Sequence, residues 1–263
     1  VKLTILGGCF PVQHNITPDR LYHQTLKRRL EQPDGAAAVT VDVIRYERFG
    51  SCLPRVRASA AQAPIAVLLF HVRAEPVLRL LKLYYKHLDD AGQLRHALNL
   101  PRWGRVPAER FDLLTVRPAR PTPRPPAPPS YAPGPRRLRE LNYRLGTLLG
   151  NEQYALEQYL HLVLELADFC RTQGTRLLVT GPVSRPCSAY EDALSNRLAG
   201  FFEPQLAAHG IAYLDLLGHT DAAGNSLFLA EGIYVGPTGH DRVASRLHAA
   251  LTAAATPPSS APQ

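Results

Sequence analysis

The chain has 263 residues, of which 45% are hydrophobic and 20% charged, an ordinary globular balance that excludes wholesale disorder and a collagen-like fibre. Its longest uninterrupted apolar run, Ile65 to Phe70, is six residues, far short of the ~20 that a membrane-spanning helix needs. The net charge of +8 would suit a nucleic-acid partner, but six arginines and no acid lie between residues 117 and 139, and the other 240 residues carry only +2. The excess is local, not a basic face, so no nucleic-acid partner is expected.

In chain order, short apolar runs alternate with amphipathic stretches. Leu3 to Leu6 reads as a first strand. Thr17-Pro18-Asp19 then offers a cap followed by proline at the first helical position, with Leu21, Thr25, Leu26 and Leu30 at helical spacing. Val39 to Ile44 and Ile65 to Phe70 read as strands, and Glu75 to Leu88 as a helix carrying Leu78, Leu81, Tyr85 and Leu88. After a proline-rich segment come a helix over Glu152 to Thr172 that stops at Gly174, a strand over Arg176 to Thr180, a helix over Ala189 to His209, a strand over Ile211 to Leu216, and a last helix capped by Thr238. The strands are almost continuously apolar, as parallel strands buried on both faces are. The pattern predicts an α/β fold with an open parallel sheet covered on both faces by helices, a single domain over residues 1–255. In such folds the reactive crevice lies at the carboxyl ends of the strands.

The segment from residue 117 to 137 stands apart. Nine prolines fall between 118 and 135, and proline neither donates to a ladder nor continues a helix, so an extended polyproline-like or disordered insertion is expected. It could dock a protein partner with a proline-binding groove, or cover a site. Residues 256–263, Thr-Pro-Pro-Ser-Ser-Ala-Pro-Gln, read as a disordered tail. The four cysteines, at 9, 52, 170 and 187, contain no CxxC pair and do not suggest a disulfide framework. With ten scattered histidines, no Walker-type loop and no His-Glu-x-x-His, neither metal nor cofactor is expected. No export-signal pattern is read at the amino end, and a cytoplasmic protein is expected.

Two loops carry the chemistry-bearing residues. Gly7-Gly8-Cys9-Phe10-Pro11 follows the first strand, where glycines let a ligand approach backbone amides and a thiol could act as a nucleophile. Glu231-Gly232-Ile233-Tyr234-Val235-Gly236-Pro237-Thr238-Gly239-His240 opens the last helix. Together these resemble the SGNH/GDSL hydrolase superfamily of esterases and lipases. In that family the first strand ends in Gly-Asp-Ser, and an Asp-x-x-His block precedes a Gly-His pair and the final helix. Phe49-Gly50-Ser51 resembles its second block, and Phe70-His71-Val72-Arg73 lies where it has Gly-x-Asn-Asp.

The resemblance covers the chain outside the insertion and tail. It implies a flavodoxin-like three-layer α/β/α sandwich with a five-stranded parallel sheet. It also implies Cys9 in the nucleophile position, Gly50 as an oxyanion donor, Arg73 in place of the donor Asn, and Tyr234 and Glu231 in place of the base His and its Asp. Gly8, Phe10, Ser51 and His240 then fall where substrate would be bound.

The departures shape the expected chemistry. A serine nucleophile needs an imidazole to take its proton near neutral pH, and a phenol with a pKa near ~10 is a poor substitute. A thiol needs less help, being a few per cent ionised at pH 7. Among candidate replacement bases (His71, His14 and His240), His71 stands out because it follows the third strand at the crevice rim. The resulting expectation is an acyl-ester hydrolase or acyltransferase with a Cys nucleophile, acting on a small ester or carbohydrate-like substrate. A catalytically inactive SGNH-fold protein that binds an anionic or carbohydrate ligand is the alternative.

A second resemblance is to nucleotidyltransferases, through Gly7-Gly8-Cys9-Phe10 and His14. The partner His-x-Gly-His histidine is missing from His14-Asn15-Ile16-Thr17.

Overall fold

The computed structural model describes residues 1–8, 10–13, 15–32, 38–46, 49–81, 84–88, 94–98, 133–149, 151–184, 186–230, 232 and 234–253, with backbone alone at 79 and over 84–88, 94–98 and 133–139. Along the chain these form β1 (Lys2–Gly7), α1 (Tyr22–Glu31), β2 (Thr40–Arg45), α2 (Cys52–Gln62), β3 (Val67–His71), α3 (Ala74–Leu80), β4 (Tyr84–Leu88) and β5 (Leu94–Leu98). Then follow α4 (Pro133–Leu148), α5 (Asn151–Gln173), β6 (Arg176–Thr180), α6 (Ala189–Ala208), β7 (Ala212–Leu214) and α7 (Pro237–Ala253). Single 3₁₀ turns occupy Phe10–Val12, Pro18–Arg20 and Phe49–Ser51.

The chain divides into two compact units. The first comprises Val1–Tyr46, Leu53–Ala74 and Leu164–Gln263; the second comprises Glu47–Cys52 and Glu75–Val163.

The first unit holds the five-stranded sheet, in the order β2-β1-β3-β6-β7 with every pairing parallel. This is the expected α/β architecture. Each strand is one of the five apolar runs read from the sequence. Side chains alternate across the pleat. Leu3 and Ile5 of β1, Leu69 of β3 and Leu178 of β6 join Tyr22 and Leu26 of α1 and Val243, Ala244 and Leu247 of α7 in one buried cluster. Leu6, Leu68, Phe70 and Val179, pointing the other way, are equally buried. Arg176, at the start of β6, donates to the carbonyls of Ala250 and Leu251 at 2.8 and 2.9 Å. It thereby supplies donors and positive charge to the carboxyl end of α7, where unpaired carbonyls favour both.

In the second unit, Phe49 and Tyr159 pack ring to ring with centroids 4.7 Å apart, and Val77, Leu81, Tyr143 and Leu156 are buried.

Four expectations are corrected. The helix expected over Glu75 to Leu88 ends at Leu80, and Tyr84–Leu88 is a strand paired antiparallel with β5. Consecutive tyrosines favour a strand, and the following sequence Asp89-Asp90-Ala91-Gly92 is rich in turn formers. Thr17 makes no capping bond: Pro18–Arg20 is a separate 3₁₀ turn, Leu21 is extended, and α1 starts at Tyr22. The last helix starts at Pro237, ahead of Thr238, because proline's fixed φ suits the first helical position. The expected insertion ends early. Residues 133–137 belong to α4, whose Pro133 and Pro135 fall in the first turn, where no amide donor is needed. Residues 117–132 and 256–263 lie outside the described residues.

Candidate functional site

The carboxyl ends of β1 and β3 lie side by side. Leu6 pairs with Phe70, and His71 pairs with Thr180, so Gly7, His71 and Thr180 finish at one level. From β1 the chain goes to β2 on one side of it, while β3 lies on its other side. This is a topological switch point, where open α/β sheets bind ligands.

His71 is the last residue of β3, not a rim residue, and is only 3% exposed. Its Nδ1 is 2.6 Å from Thr180 Oγ1, its Nε2 makes a short hydrogen bond with the Tyr22 hydroxyl, and its carbonyl accepts from the Tyr46 hydroxyl at 3.0 Å. A neutral imidazole has one donor and one acceptor nitrogen, and both are occupied. Burial, reinforced by the positive charge of Arg73 and then by His23, pushes His71 down to about 3. Burial alone pushes the Tyr22 phenol well above its usual range. The expected base is therefore locked in a neutral Tyr22–His71–Thr180 chain and holds its neighbours in place.

His240 is fully buried, and its Nδ1 accepts the Tyr22 amide at 3.1 Å. The proton of the neutral ring is thus on Nε2, which has no partner among the described residues. Burial, then His23, lowers His240 to about 4. Phe10 ties the cluster together. Its ring stacks on Tyr22 at 4.8 Å and on His240 at 5.0 Å, and meets His71 edge-on at 5.7 Å. These contacts pin the loop that follows β1.

Arg73 is the charged member of the site. Its Nη1 donates to the Tyr46 carbonyl at 3.0 Å and its guanidinium lies over the Tyr46 ring, 5.1 Å from the centroid. The same group rests directly on Gly8, where a Cβ would fall 2.1 Å from Nε and 2.2 Å from Cζ. Only glycine admits that approach.

The loop before α7 meets the loop after β1. Gln13 Nε2 donates to the Val235 carbonyl at 2.8 Å. Tyr234 is 41% exposed, and its carbonyl accepts the Leu229 amide at 2.9 Å. Gly50 and Ser51 form part of the 3₁₀ turn leading into α2, Gly50 exposed and Ser51 half-buried; they belong to the second unit. Cys9, His14 and Glu231 lie outside the described residues.

The structure thus brings Gly8, Phe10, His71, Arg73 and His240 together with four residues that the sequence reading missed: Gln13, Tyr22, Tyr46 and Thr180. Of these, only Tyr22 had a local signal, as a polar aromatic in the first turn of the helix that follows the β1 loop. Among the described residues no group of three or more His, Cys, Asp or Glu side chains is placed to hold a metal ion. None of their helices is long and apolar enough to cross a membrane.

Solved structures share this architecture over nearly the whole chain. A member of the lipolytic G-D-S-L family from Veillonella parvula superposes with a TM-score of 0.54 at 9% identity, covering 95% of this chain and 98% of its own. TesA gives 0.52 at 13% identity, covering 96% and 99%. A catalytic mutant of Axe2, an acetylxylan esterase from Geobacillus stearothermophilus, gives 0.53 at 10%, covering 94% and 91%. No protein-family model and no curated protein matches the chain. At such identities the likeness establishes the fold: an SGNH hydrolase-like α/β protein with a five-stranded parallel sheet.

Proposed function

We propose that the chain is an acyl-ester hydrolase or acyltransferase that uses Cys9 as its nucleophile and the guanidinium of Arg73 in place of an imidazole as the activating charge. The observation that carries this reading is the contact of Arg73 with Gly8, the residue before Cys9. A cation beside a thiol favours the thiolate, which is the attacking form. The thiolate adds to the ester carbonyl, and the guanidinium steadies the negative oxygen of the tetrahedral intermediate. The alcohol leaves with a proton from solvent, and water or a second hydroxyl then attacks the thioester and regenerates the thiol. The neutral, hydrogen-bonded His71 and His240 hold the floor of the site and take no proton. Small acetyl esters, including those on carbohydrates, are the substrates to try first, given the acetylxylan esterase among the structures of the same fold.

One observation favours a second reading, an inactive protein that binds an anion through Arg73. The described imidazoles at the crevice are buried, and an exposed phenol, Tyr234, stands where the family has its base. One experiment separates the two readings. On the ester reading, Cys9→Ala abolishes turnover of a small activated acetyl ester, and alkylation of Cys9 titrates well below the usual thiol range. Equal turnover by the variant, or an inert thiol, removes Cys9 from the mechanism.

A further inference from the structure

The helix α4 has two apolar faces and buries only one. Tyr143 is buried, and at Gly146 the helix backs onto the end of α3 so closely that a Cβ would fall 1.9 Å from the Leu81 carbonyl oxygen. On the other side Leu141, Leu145, Leu148 and Leu149 face solvent, 42 to 81% exposed. We propose that this row of leucines, with the arginines beside it, seats the protein on an anionic lipid surface.

The row is continuous. Positions 141, 145 and 148 are four and three residues apart, so they neighbour one another along one side of the helix. The Leu149 amide donates to the Leu145 carbonyl at 3.1 Å, which carries the row one residue past the helix. Thr147 Oγ1 donates to the Glu152 carboxylate at 2.9 Å, so this end of α4 is fastened to α5 and does not fray. Of the six exposed large apolar side chains among the described residues, four are these leucines. Single exposed leucines are ordinary, whereas a row of them marks a surface that meets something.

The charge around the row selects what covers it. Arg144 lies three residues after Leu141 and four before Leu148, on the same side of the helix; it is exposed and has no carboxylate partner among the described residues. Arg137 is four residues before Leu141. From residue 117 to 149 the sequence has seven arginines and one acid, Glu140, a net +6 out of the chain's +8. Leucines flanked by guanidinium groups are the pattern of helices that lie in a membrane interface, with apolar side chains among the acyl chains and cations at the lipid phosphates. A second copy of the chain would set like charges face to face, because a symmetric pair brings the same patch against itself. The chain's own segment 117–132 carries the same sign and, apart from proline and alanine, one apolar side chain, Tyr131. An anionic lipid surface satisfies the leucines and the arginines together, and lying on it requires no spanning helix.

The residues that carry this inference all belong to the second compact unit. It stands apart from the ester reading and would survive loss of Cys9 from the mechanism.

The test is co-sedimentation of the full chain with mixed phosphatidylcholine–phosphatidylglycerol vesicles and with vesicles of phosphatidylcholine alone. It is repeated on Leu145→Gln/Leu148→Gln, on Leu148→Gln and on Arg144→Glu. All three positions are exposed, so the variants should melt as the parent does, and Leu148→Gln serves if the pair does not. The expected result is saturable binding to the anionic vesicles, about tenfold or more weaker on neutral vesicles or in added salt. The leucine pair should lose about tenfold or more in affinity, and Arg144→Glu should weaken binding and flatten its salt dependence. Absence of binding, equal binding to neutral vesicles, or unchanged binding by the leucine variants would overturn the proposal. So would a dimer of the lipid-free parent that the leucine pair converts to monomer, which would assign the row to a second copy, or binding to soluble polyglutamate as tight as to vesicles, which would assign it to an acidic protein.

Discussion

Along the carboxyl edge of the sheet, the β1–β3 end and the β7–α7 end are built in opposite ways. Where β1 and β3 finish, polar side chains are buried and most are paired: His71 has a partner on each ring nitrogen, and His240 has one on Nδ1. Beside β7 and α7, Leu227, Phe228 and Val235 form a small apolar cluster against which Phe10 and Val183 pack and on which α7 presses at Gly239. Paired polar groups in a dry interior fix geometry and hold protonation states, whereas close apolar packing tolerates little added volume. The first end holds its geometry through directional bonds, the second through contact alone.

Acid should break the first end before anything else. In the folded chain His71 and His240 are held at about 3 and about 4, against an ordinary 6.5. Between pH 6.5 and about 4 the unfolded chain therefore binds protons that the folded chain refuses. Stability is complete above that window and falls as pH drops through it, at a rate approaching about 1.4 kcal/mol per pH unit for each histidine. Urea midpoints taken at descending pH should show this slope, and His71→Asn should remove about one proton's share of it. An unaltered slope in the variant would place the proton uptake elsewhere.

Gly239→Ala tests the frame of the second end. The atoms it meets include a backbone carbonyl, which cannot swing away, so a loss of about 3 kcal/mol is expected, in the upper part of the range for overpacking. A urea midpoint within error of the parent would mean that α7 can shift, and that this packing is looser than the contacts at Gly239 imply.

Tyr22→Phe probes the polar end more gently. It leaves His71 Nε2 buried without its partner, at a cost of about 2 kcal/mol. If stability is unchanged, a water has replaced the phenol, and the Tyr22–His71–Thr180 chain is not what holds the end of β3.

Much of this frame was legible because buried parallel strands announce themselves as unbroken apolar runs. The five read from the sequence are the five strands of the sheet, and Arg176–Thr180 matches at both ends. The hairpin of β4 and β5 was not, because Leu78, Leu81, Tyr85 and Leu88 mimic helical spacing, and only pairing with β5 decides the matter. The site was half legible. Local motifs located Gly8, His71, Arg73 and His240 but not their surroundings: one further residue of β3 carries His71 from rim to interior, and its partners Tyr22 and Thr180 are 49 and 109 positions away. No local pattern encodes such meetings.

Gly8→Ala should have the smallest effect on stability and the most informative effect on chemistry. Unlike Gly239, Gly8 faces the flexible side chain of Arg73, which can swing aside at a cost of about 1 kcal/mol. Moving it takes the positive charge away from the loop that bears Cys9. If that charge is what activates the thiol, the variant melts close to the parent, yet its thiol titrates higher and its ester turnover falls, and Arg73→Ala shows the same pair of changes without the added methyl. Arg73→Lys, which keeps charge but not the planar stack on Tyr46, should fall between. A Gly8→Ala variant with an unshifted thiol and full turnover would show that the contact between Arg73 and Gly8 is packing alone, and would favour the binding interpretation.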